Sequence, residues 1–314
     1  MNTRNLRFAS NRVRDILALF HEELDGLYGG SEVGVFLDML FEAFLGWNKV
    51  RLLTSKETTV NQSDLLRFHW ALEDLKKNRP IQHIIGHTDF CDCRIAVSPD
   101  VLIPRPETEE MVNWILSTFH FPLSTFHFLD LCTGSGCIAI ALKKAFPAAE
   151  VTAVDVSPKA LEMSRQNAQA NDVNINFLQA DLLTFNFPAC LQALSTAESN
   201  IISEKLSTFH LIVSNPPYVC DSERSQMQRN VLDYDPALAL FVPDDDPLRF
   251  YRAIAAIAKE HLTQDGLLVV EINEALAEKT AALLRSYGFL PEVHTDFRGK
   301  ARWISAQFKN HISQ

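Results

Sequence analysis

Cysteine is scarce in this sequence, with six residues among 314. The six are scattered and no two of them form a Cys-x-x-Cys pair, so the ligand spacing of a structural zinc site is missing. Cys91 and Cys93 are the one close pair. We interpret them as ordinary thiols and expect no metal site. We also expect the thiols to be reduced, as they are in cytoplasmic proteins.

Long apolar runs are missing as well. Nowhere do about 18 uncharged apolar residues follow one another, and the first residues, Met1–Arg7, lack the apolar stretch of a secretory signal. We therefore expect a soluble, cytoplasmic protein that does not enter a membrane. The hydrophobic fraction of 47% is still enough to fill a sizeable core in a chain of this length.

Positive charge is not in excess, because 29 Lys and Arg residues stand against 39 Asp and Glu residues and leave a formal net charge of -10. Affinity for nucleic acid comes largely from Lys and Arg that neutralise phosphates. The sequence also has no clear basic strip interleaved with aromatic residues. We therefore expect no direct nucleic-acid substrate.

Three regions differ in their residue pattern. Apolar residues recur at helical spacing in the first region, which predicts a small all-helical domain over residues 1–78, and we expect this domain to recognise a substrate. Residues 79–106 contain prolines and short alternating pieces, which predict a β-hairpin linker. Residues 107–314 form the third region, and within it the stretch 186–205 is predicted to be a loop insertion.

Strand and helix patterns alternate in the third region. Two short strands are predicted late in the chain, and five longer apolar strands are predicted before them, ending near Leu131, Val156, Leu178, Ser214 and Ile272. Four helix patterns lie between and after these strands, over 137–145, 158–170, 247–261 and 275–287, and another over 110–116 precedes them. The last of the five strands is predicted over 267–272. The alternation predicts an α/β fold in which a mostly parallel seven-stranded sheet carries helices on both faces. In sheets of this kind, ligands bind at the carboxyl ends of the strands.

One predicted strand stops at the residues Asn215-Pro216-Pro217-Tyr218, which we call the corner. The two prolines donate no backbone N–H, so the carbonyls around them stay out of the sheet ladder. Asn215 adds a side-chain oxygen, and such a group of acceptors suits a planar –NH2 group, whose two N–H bonds need two acceptors. Asn-Pro also opens ordinary turns. The corner alone is therefore compatible with either a turn or an amide-holding site.

Ligand-binding groups also follow the other strands. Two glycines in the segment Cys132–Gly136, which we call the glycine loop, let the backbone approach a ligand closely where a helix begins. About 20 residues further on, Asp155 can accept both hydroxyls of a ribose. Asp181 can accept from an adenine amino group, and Leu182 can pack on its ring. These strand ends indicate a nucleoside-containing ligand. A dinucleotide fits less well, because Ala139 replaces the third glycine of Gly-x-Gly-x-x-Gly, and the lack of Gly-Lys-Ser/Thr excludes a P-loop.

The glycine loop, Asp155, Asp181 and the corner follow one another along the chain in this order. In this order they resemble the motifs of a class I S-adenosylmethionine-dependent methyltransferase that methylates amino groups. Together with Leu102-Ile-Pro-Arg-Pro-Glu-Thr-Glu109 they resemble the HemK/PrmC family, the protein-(glutamine-N5) methyltransferases, over nearly the whole chain. The resemblance implies a Rossmann-like fold and S-adenosyl-L-methionine as the cofactor. It also implies a protein partner, the peptide chain release factors of class I, methylated on the glutamine of their Gly-Gly-Gln loop.

The strand ends and the resemblance together predict the site residues. Residues expected at the cofactor are Cys132, Thr133, Gly134, Ser135, Gly136, Asp155, Asp181, Leu182 and Asn215. Residues expected to bind the acceptor and to catalyse transfer are Asn215, Pro216, Pro217 and Tyr218, with Phe90 on the hairpin closing the pocket from the other side. In this hypothesis the Asn215 side-chain oxygen and the Pro216 carbonyl accept the two amide N–H bonds and aim the nitrogen lone pair at the methyl group. Tyr218 packs over the substrate.

Other activities stay open at this point. An adenine-N6 methyltransferase acting on DNA or RNA would present an exocyclic amine of the same geometry to the corner. A relative of the family modifies glutamine in ribosomal protein L3, although its sequence usually diverges after the Pro-Arg of the proline-rich motif. Arg105 and Glu107 in that motif have two interpretations, a structural ion pair or a contact with a ligand.

The sequence departs from the family pattern at two positions that bear on the site. Cys132 stands where the family usually has the first glycine of its loop, and we expect the backbone there to be open to a residue with a Cβ. Asn273 replaces a frequent glycine in Glu271-Ile272-Asn273. We expect these changes to alter loop details and to preserve cofactor binding.

Overall fold

The computed structural model describes residues 8–118, 126–184 and 208–309, and the predicted insertion at 186–205 lies outside the described residues. Contacts divide the chain into two compact units. The first comprises the chain up to His87 together with the segment Gln228–Tyr234. It therefore extends beyond the domain boundary that the sequence predicts at residue 78.

The first unit is helical, as predicted. Its helices are α1 (Val13–Tyr28), α2 (Gly30–Leu45), α3 (Lys49–Thr54), α4 (Gln62–Leu75), α5 (Ile81–Ile85) and, much later in the chain, α9 (Arg229–Tyr234). Asparagine side chains cap α3 and α4, since Asn48 and Asn61 each accept a backbone N–H from the third residue on. The amphipathic faces of these helices bury an apolar core around Phe20, Phe41 and Phe68. Helix α5 lies in the stretch that the sequence assigns to the hairpin linker.

The hairpin itself is short. Its strands are β1 (His87–Phe90) and β2 (Cys93–Ala96). Cys91 and Asp92 join them with φ values of 46° and 58°, and positive φ at both central residues is the requirement of a two-residue type I′ turn. Cys91 thus lies in a tight turn, and Cys93 is the first residue of the strand that follows it. The Cys91 backbone N–H donates to Glu109 Oε1 at 2.7 Å, which ties the turn to the helix that follows.

The second unit contains the seven-stranded sheet that the alternation predicts. In chain order its strands are β3 (His127–Leu131), β4 (Glu150–Asp155), β5 (Asn176–Gln179), β6 (Phe209–Ser214), β9 (Leu262–Glu271), β10 (Phe289–Thr295) and β11 (Ala301–Phe308). Their spatial order is β10-β11-β9-β6-β3-β4-β5. Strands β9, β6, β3, β4 and β5 run parallel, and β11 pairs antiparallel with both β9 and β10. A two-stranded pair, β7 (Val219–Cys220) and β8 (Phe241–Val242), lies outside this sheet.

Helices cover both faces of the sheet. They are α6 (Pro106–Thr118), α7 (Cys137–Ala145), α8 (Pro158–Ala170), α10 (Arg249–His261) and α11 (Ala277–Ser286). Successive strand residues point to opposite faces, so Leu211 and Val213 of β6 lie in one core cluster and Ile212 lies in the other. Among the residues described, no helix is both long enough and apolar enough to cross a membrane.

The ends of two elements differ from expectation. Helix α6 begins at Pro106, whereas the sequence pattern places its start at Glu110. Proline at the first helical position loses nothing, because its missing N–H would have no intrahelical partner. Strand β9 begins at Leu262, before the predicted apolar run at Leu267, because pairing with β6 extends back to Phe209.

Candidate active site

A cavity of about 450 Å³ opens at the carboxyl ends of the parallel strands in the second unit. It is lined by Cys132–Ser135 of the glycine loop after β3, by Asp155 at the end of β4, by Asp181 after β5 and by Asn215 after β6, whereas Gly136 is not among the described residues that line it. Because β6, β3, β4 and β5 are neighbours in the sheet, their following loops meet at one edge. The structure therefore brings together the groups that the sequence identifies at separate strand ends.

The glycine loop turns sharply into α7. Gly136 caps the helix with φ 83°, and a Cβ built there would lie 2.8 Å from Ser164 Cβ and 3.3 Å from Ser164 Cα on α8. Gly134 has φ 56°, and its N–H donates to Asp155 Oδ2 at 2.8 Å. Gly136 is thus required for close packing of α7 against α8, whereas Gly134 is required for the backbone conformation alone.

Cys132 corrects one expectation about the loop. Its φ is 62°, in the left-handed region that favours glycine, so the backbone here is not the ordinary conformation expected for a residue with a Cβ. The loop keeps this shape because the next residue, Thr133, donates its backbone N–H to Val154 O at 3.0 Å. Burial raises the pKa of the Cys132 thiol, which keeps it neutral beside the loop.

Asp130 is a buried carboxyl that the predicted site residues do not include. It is fully buried in β3 between Leu129 and Leu131, and Thr133 Oγ1 donates to its Oδ2 at 2.6 Å. Burial raises its pKa to about 7, although the hydrogen bond from Thr133 acts in the other direction. Asp130 fixes the start of the glycine loop. An acid inside an apolar strand is the sequence signal that could have identified it.

The two acids predicted to bind a nucleoside line the cavity in different environments. Asp155 is half-buried, and its Oδ1 accepts the Ser157 N–H at 2.9 Å while its Oδ2 accepts from the glycine loop. Each carboxylate oxygen retains a further lone pair for a ligand hydroxyl. Asp181 is exposed, and its Oδ1 accepts the Leu183 N–H at 3.0 Å. Leu182 is buried in the wall between them.

The corner is held by both of its neighbouring strands. Ser214 Oγ donates to Leu131 O at 2.6 Å, which fixes the end of β6 to the end of β3. Asn215 and Pro217 line the cavity, and Pro216 is buried. The Asn215 Nδ2 donates to Thr108 Oγ1 at 3.1 Å, and within the described ranges no side chain or backbone group donates to its Oδ1. Asn215 therefore offers an acceptor at the cavity, as the hypothesis requires.

Glu271 lies behind Asn215 and is fully buried. Thr108 Oγ1 donates to Glu271 Oε2 at 2.6 Å, and the Tyr218 hydroxyl donates to Oε1 at 2.9 Å. Burial raises the pKa of the Glu271 carboxyl, and the two donated hydrogen bonds lower it. Neither Thr108 nor Glu271 is among the predicted site residues. The two are 163 residues apart, so no local pattern links them.

Two side chains predicted to contact the substrate are engaged by the protein itself. The Tyr218 hydroxyl bonds to Glu271, and its ring packs against the core on the β9 side. Phe90 is 1% exposed and lies in the core cluster beneath the hairpin. Of the described residues, those that line the cavity include neither one. Tyr218 supports the corner from behind, and Phe90 anchors the hairpin.

Asn273 gives the corner a support that glycine in its place would lack. Its Nδ2 donates to Tyr218 O at 3.2 Å and to Glu223 Oε2 at 2.8 Å. Glu223 Oε2 in turn accepts the Cys220 N–H at 2.8 Å. The departure from the family pattern at this position is therefore a structural contact with the carboxyl end of the corner.

Arg105 forms a structural ion pair, but with a partner other than Glu107. Its guanidinium forms an ion pair with the buried carboxyl of Asp235, and the same side chain lines the cavity. Glu107 is not its ion-pair partner and is not among the described residues that line the cavity. Burial raises the pKa of Asp235, and the charge of Arg105 opposes that shift. The pair connects the proline-rich motif to the short 3₁₀ helix Ala237–Ala239 at the cavity wall.

The mostly parallel sheet, with a glycine loop after its first strand and acids after the next two, is the fold and site of a class I methyltransferase. Residues 128–226 match a family model described as a methyltransferase domain, and residues 29–86 match one described as the PrmC N-terminal domain. The chain belongs to the family of release factor glutamine methyltransferases, as its curated relatives demonstrate.

Three of these relatives bear the name release factor glutamine methyltransferase. The protein from Flavobacterium psychrophilum is 37% identical over 300 residues, which cover 95% of this chain and 99% of that protein. The protein from Bacteroides thetaiotaomicron is 36% identical, with 93% and 98% covered. The protein from Leptospira interrogans is 34% identical, with 85% and 88% covered. The similarity thus includes both the helical unit and the sheet.

Proposed function

We propose that this chain transfers a methyl group from S-adenosyl-L-methionine to the side-chain amide nitrogen of the glutamine in the Gly-Gly-Gln loop of peptide chain release factors. The observation that carries the proposal is the corner, where Asn215 lines the cavity. Its nitrogen donates to Thr108, and its oxygen has no donor among the residues that the structure describes. A primary carboxamide has two N–H bonds to donate, and the proposal assigns one to Asn215 Oδ1 and the other to the carbonyl of the buried Pro216.

The residues of the cavity fit the cofactor. Asp155 retains lone pairs for the ribose hydroxyls, and the exposed Asp181 carboxylate can accept from the adenine amino group beside Leu182. The glycine loop offers close backbone approach at the start of α7. When bound, S-adenosyl-L-methionine supplies an electrophilic methyl group on a sulfonium.

The protein's own contribution is to place and polarise the amide. The lone pair of a carboxamide nitrogen is delocalised into the carbonyl, so the nitrogen is a poor nucleophile. Two acceptors that hold both N–H bonds draw the nitrogen toward tetrahedral geometry and turn its lone pair out of conjugation. The nitrogen gives up one proton as the new bond forms. That proton leaves through one of the two acceptors to water.

Mass spectrometry of a release factor tests the proposal. The factor is incubated with enzyme and cofactor, digested, and compared with a sample lacking enzyme. We expect the Gly-Gly-Gln peptide to gain the mass of one methyl group less one hydrogen on the glutamine side chain. A release factor whose glutamine is replaced by alanine is the control and should gain nothing.

Competing substrates separate this activity from its alternatives. Ribosomal protein L3, DNA and RNA are offered in parallel with cofactor carrying a labelled methyl group. Label in the release factor alone supports the proposal, and label in L3 or in nucleic acid with none in the release factor contradicts it. The net charge of -10 is one reason to expect nucleic acid to stay unlabelled.

A further inference from the structure

Asn215 can serve as an acceptor only if its side-chain amide has one of its two orientations. An asparagine side chain presents an oxygen and an NH2 group that occupy nearly the same volume, so shape alone does not choose between them. In the opposite orientation the NH2 group would face the N–H bonds of the substrate amide, and donor would meet donor. Something in the structure must therefore select the orientation.

The hydroxyl of Thr108 can make that selection because it has one hydrogen. Thr108 Oγ1 lies 2.6 Å from Glu271 Oε2, and Thr108 is 2% exposed. A carboxylate has no hydrogen to give, so the hydroxyl hydrogen goes to Glu271. Oγ1 is then left with acceptor capacity alone. Its other neighbour, 3.1 Å away, is Asn215, which must present its Nδ2 to Oγ1 and its Oδ1 elsewhere.

Glu271 is the final acceptor of this chain of hydrogen bonds, which runs from Asn215 Nδ2 to Thr108 Oγ1 and from Thr108 Oγ1 to Glu271 Oε2. The Tyr218 hydroxyl donates to its second oxygen at 2.9 Å, and the Tyr251 hydroxyl donates to its backbone carbonyl at 3.1 Å. Both carboxylate oxygens therefore receive a donor, and a buried carboxylate with two donors is one whose geometry is well defined. Glu271, Thr108 and Asn215 come from β9, α6 and the corner, so the selection depends on the packing of three separate elements.

We propose that Glu271 and Thr108 are positioning residues that orient the Asn215 amide through a chain of hydrogen bonds, so that its oxygen faces the methyl-accepting carboxamide. The inference rests on the proposed function and deepens it. It differs from a merely structural role for the buried Thr108–Glu271 pair, which would affect stability and leave turnover by the folded enzyme unchanged.

Thr108→Val tests this, because valine keeps the shape of threonine and removes the hydroxyl. We expect kcat on a release factor to fall by about tenfold or more, since small errors in placing a reacting group have effects of this size. The dissociation constant of the cofactor, measured by calorimetry, should not change. Thr108→Ser restores the hydroxyl and should restore most of kcat. Glu271→Gln, which can donate as well as accept, should lower kcat as well.

A double-mutant cycle separates positioning from any other effect of the valine. If Thr108 acts through Asn215, then Thr108→Val should lower kcat no further once Asn215 is already alanine. The matched control is Thr280→Val on α11, where a buried hydroxyl has no hydrogen-bond partner among the described residues. The control should leave kcat as in the natural protein. An unchanged kcat in Thr108→Val, or an equal further loss in the Asn215→Ala background, would overturn the proposal.

A second measurement does not depend on the substrate. The side-chain NH2 resonances of Asn215 are followed by NMR in protein with ¹⁵N-labelled asparagine and are assigned by their loss in Asn215→Ala. We expect them to shift in Thr108→Val and in Glu271→Gln, and to stay in place in Thr280→Val. If the natural protein fails to methylate a release factor but these shifts occur, the proposed function fails and the orienting contact stands. If methylation occurs without the shifts, the orienting contact is wrong.

Discussion

At the scale of single residues, the proposal makes cofactor binding and amide placement depend on different side chains. Asn215→Ala removes an acceptor for the substrate amide and leaves the glycine loop and both acids in place. We expect it to lower kcat by about a hundredfold, the loss typical of a preorganised polar group at a reacting centre, while the cofactor dissociation constant changes little.

Asp155→Ala should instead raise the cofactor dissociation constant by about tenfold or more, because the variant loses charge-assisted hydrogen bonds to the ligand.

Calorimetry with the cofactor and single-substrate kinetics distinguish the two effects. Near-normal transfer by Asn215→Ala would remove that residue from the reaction. An unchanged cofactor affinity in Asp155→Ala would remove the aspartate from the ribose site. Glu278 on α11 is a suitable control, because its exposed carboxyl pairs with Arg285 and is not among the described residues that line the cavity, so its replacement by Gln should leave both quantities nearly unchanged.

Cys132 makes a prediction about backbone conformation. At φ 62° a Cβ is unfavourable, so glycine should be better tolerated than alanine there. We expect Cys132→Gly to be more stable than Cys132→Ala by about 1 kcal/mol in urea unfolding. Both variants lose the thiol, so their difference isolates the effect of the Cβ. At Cys220, where φ is -67°, the same pair should show the opposite order. Alanine more stable than glycine at both positions would contradict the assignment.

At the scale of the elements, the contact between α7 and α8 depends on Gly136. A Cβ there would lie 2.8 Å from Ser164 Cβ in addition to adopting an unfavourable φ. Gly136→Ala should therefore destabilise the protein by about 3 kcal/mol or more, through overpacking and backbone strain together. At Gly134 no atom lies within 4 Å of the added Cβ, so Gly134→Ala should cost only about 1 kcal/mol of backbone strain.

The steric part of that prediction can be measured directly. Ser164→Gly removes the atom nearest to the added Cβ, so the double variant Gly136→Ala, Ser164→Gly should be more stable than the sum of the two single changes implies. Urea unfolding of the four proteins yields the coupling free energy. A coupling near zero would mean that α7 and α8 move apart and that the glycine is not needed for their packing.

The sequence predicts elements well where local signals are strong. Helix α8 begins where Ser157 caps it and Pro158 occupies its first turn, and its predicted and observed bounds agree. The site residues after β3, β4 and β6 are predictable because parallel strands bring their carboxyl ends to one edge. The direction of a side chain beyond a strand end has no such signal. The sequence therefore does not predict the partners of Tyr218 and Phe90, which come from β9 and from the core beneath the hairpin.

At the scale of the whole molecule, several carboxyl groups that line the cavity or support its walls are buried. Asp130, Asp155, Asp235 and Glu271 all have pKa values raised by burial. Burying them opposes folding at neutral pH, where the unfolded chain would leave them ionised in water. Asp130 and Asp155 hold the glycine loop, Glu271 supports the corner, and Asp235 pairs with Arg105. The buried carboxyl groups therefore lower the free energy of unfolding while they keep the site in one defined geometry. This cost should appear in the dependence of the free energy of unfolding on pH.

Asp130 offers the clearest measurement of that dependence. Its pKa is about 7 in the folded protein and near its ordinary value when unfolded, so the folded state binds more protons between these two values. The free energy of unfolding should therefore fall as pH rises through this window and level off above it. Asp130→Asn cannot titrate and lacks this contribution. Relative to that variant, the natural protein should lose about 2 kcal/mol between pH 5 and pH 7 in urea unfolding. A difference between the two proteins that is constant with pH, or that grows in favour of the natural protein, would mean that burial does not raise the pKa of Asp130 in the folded protein.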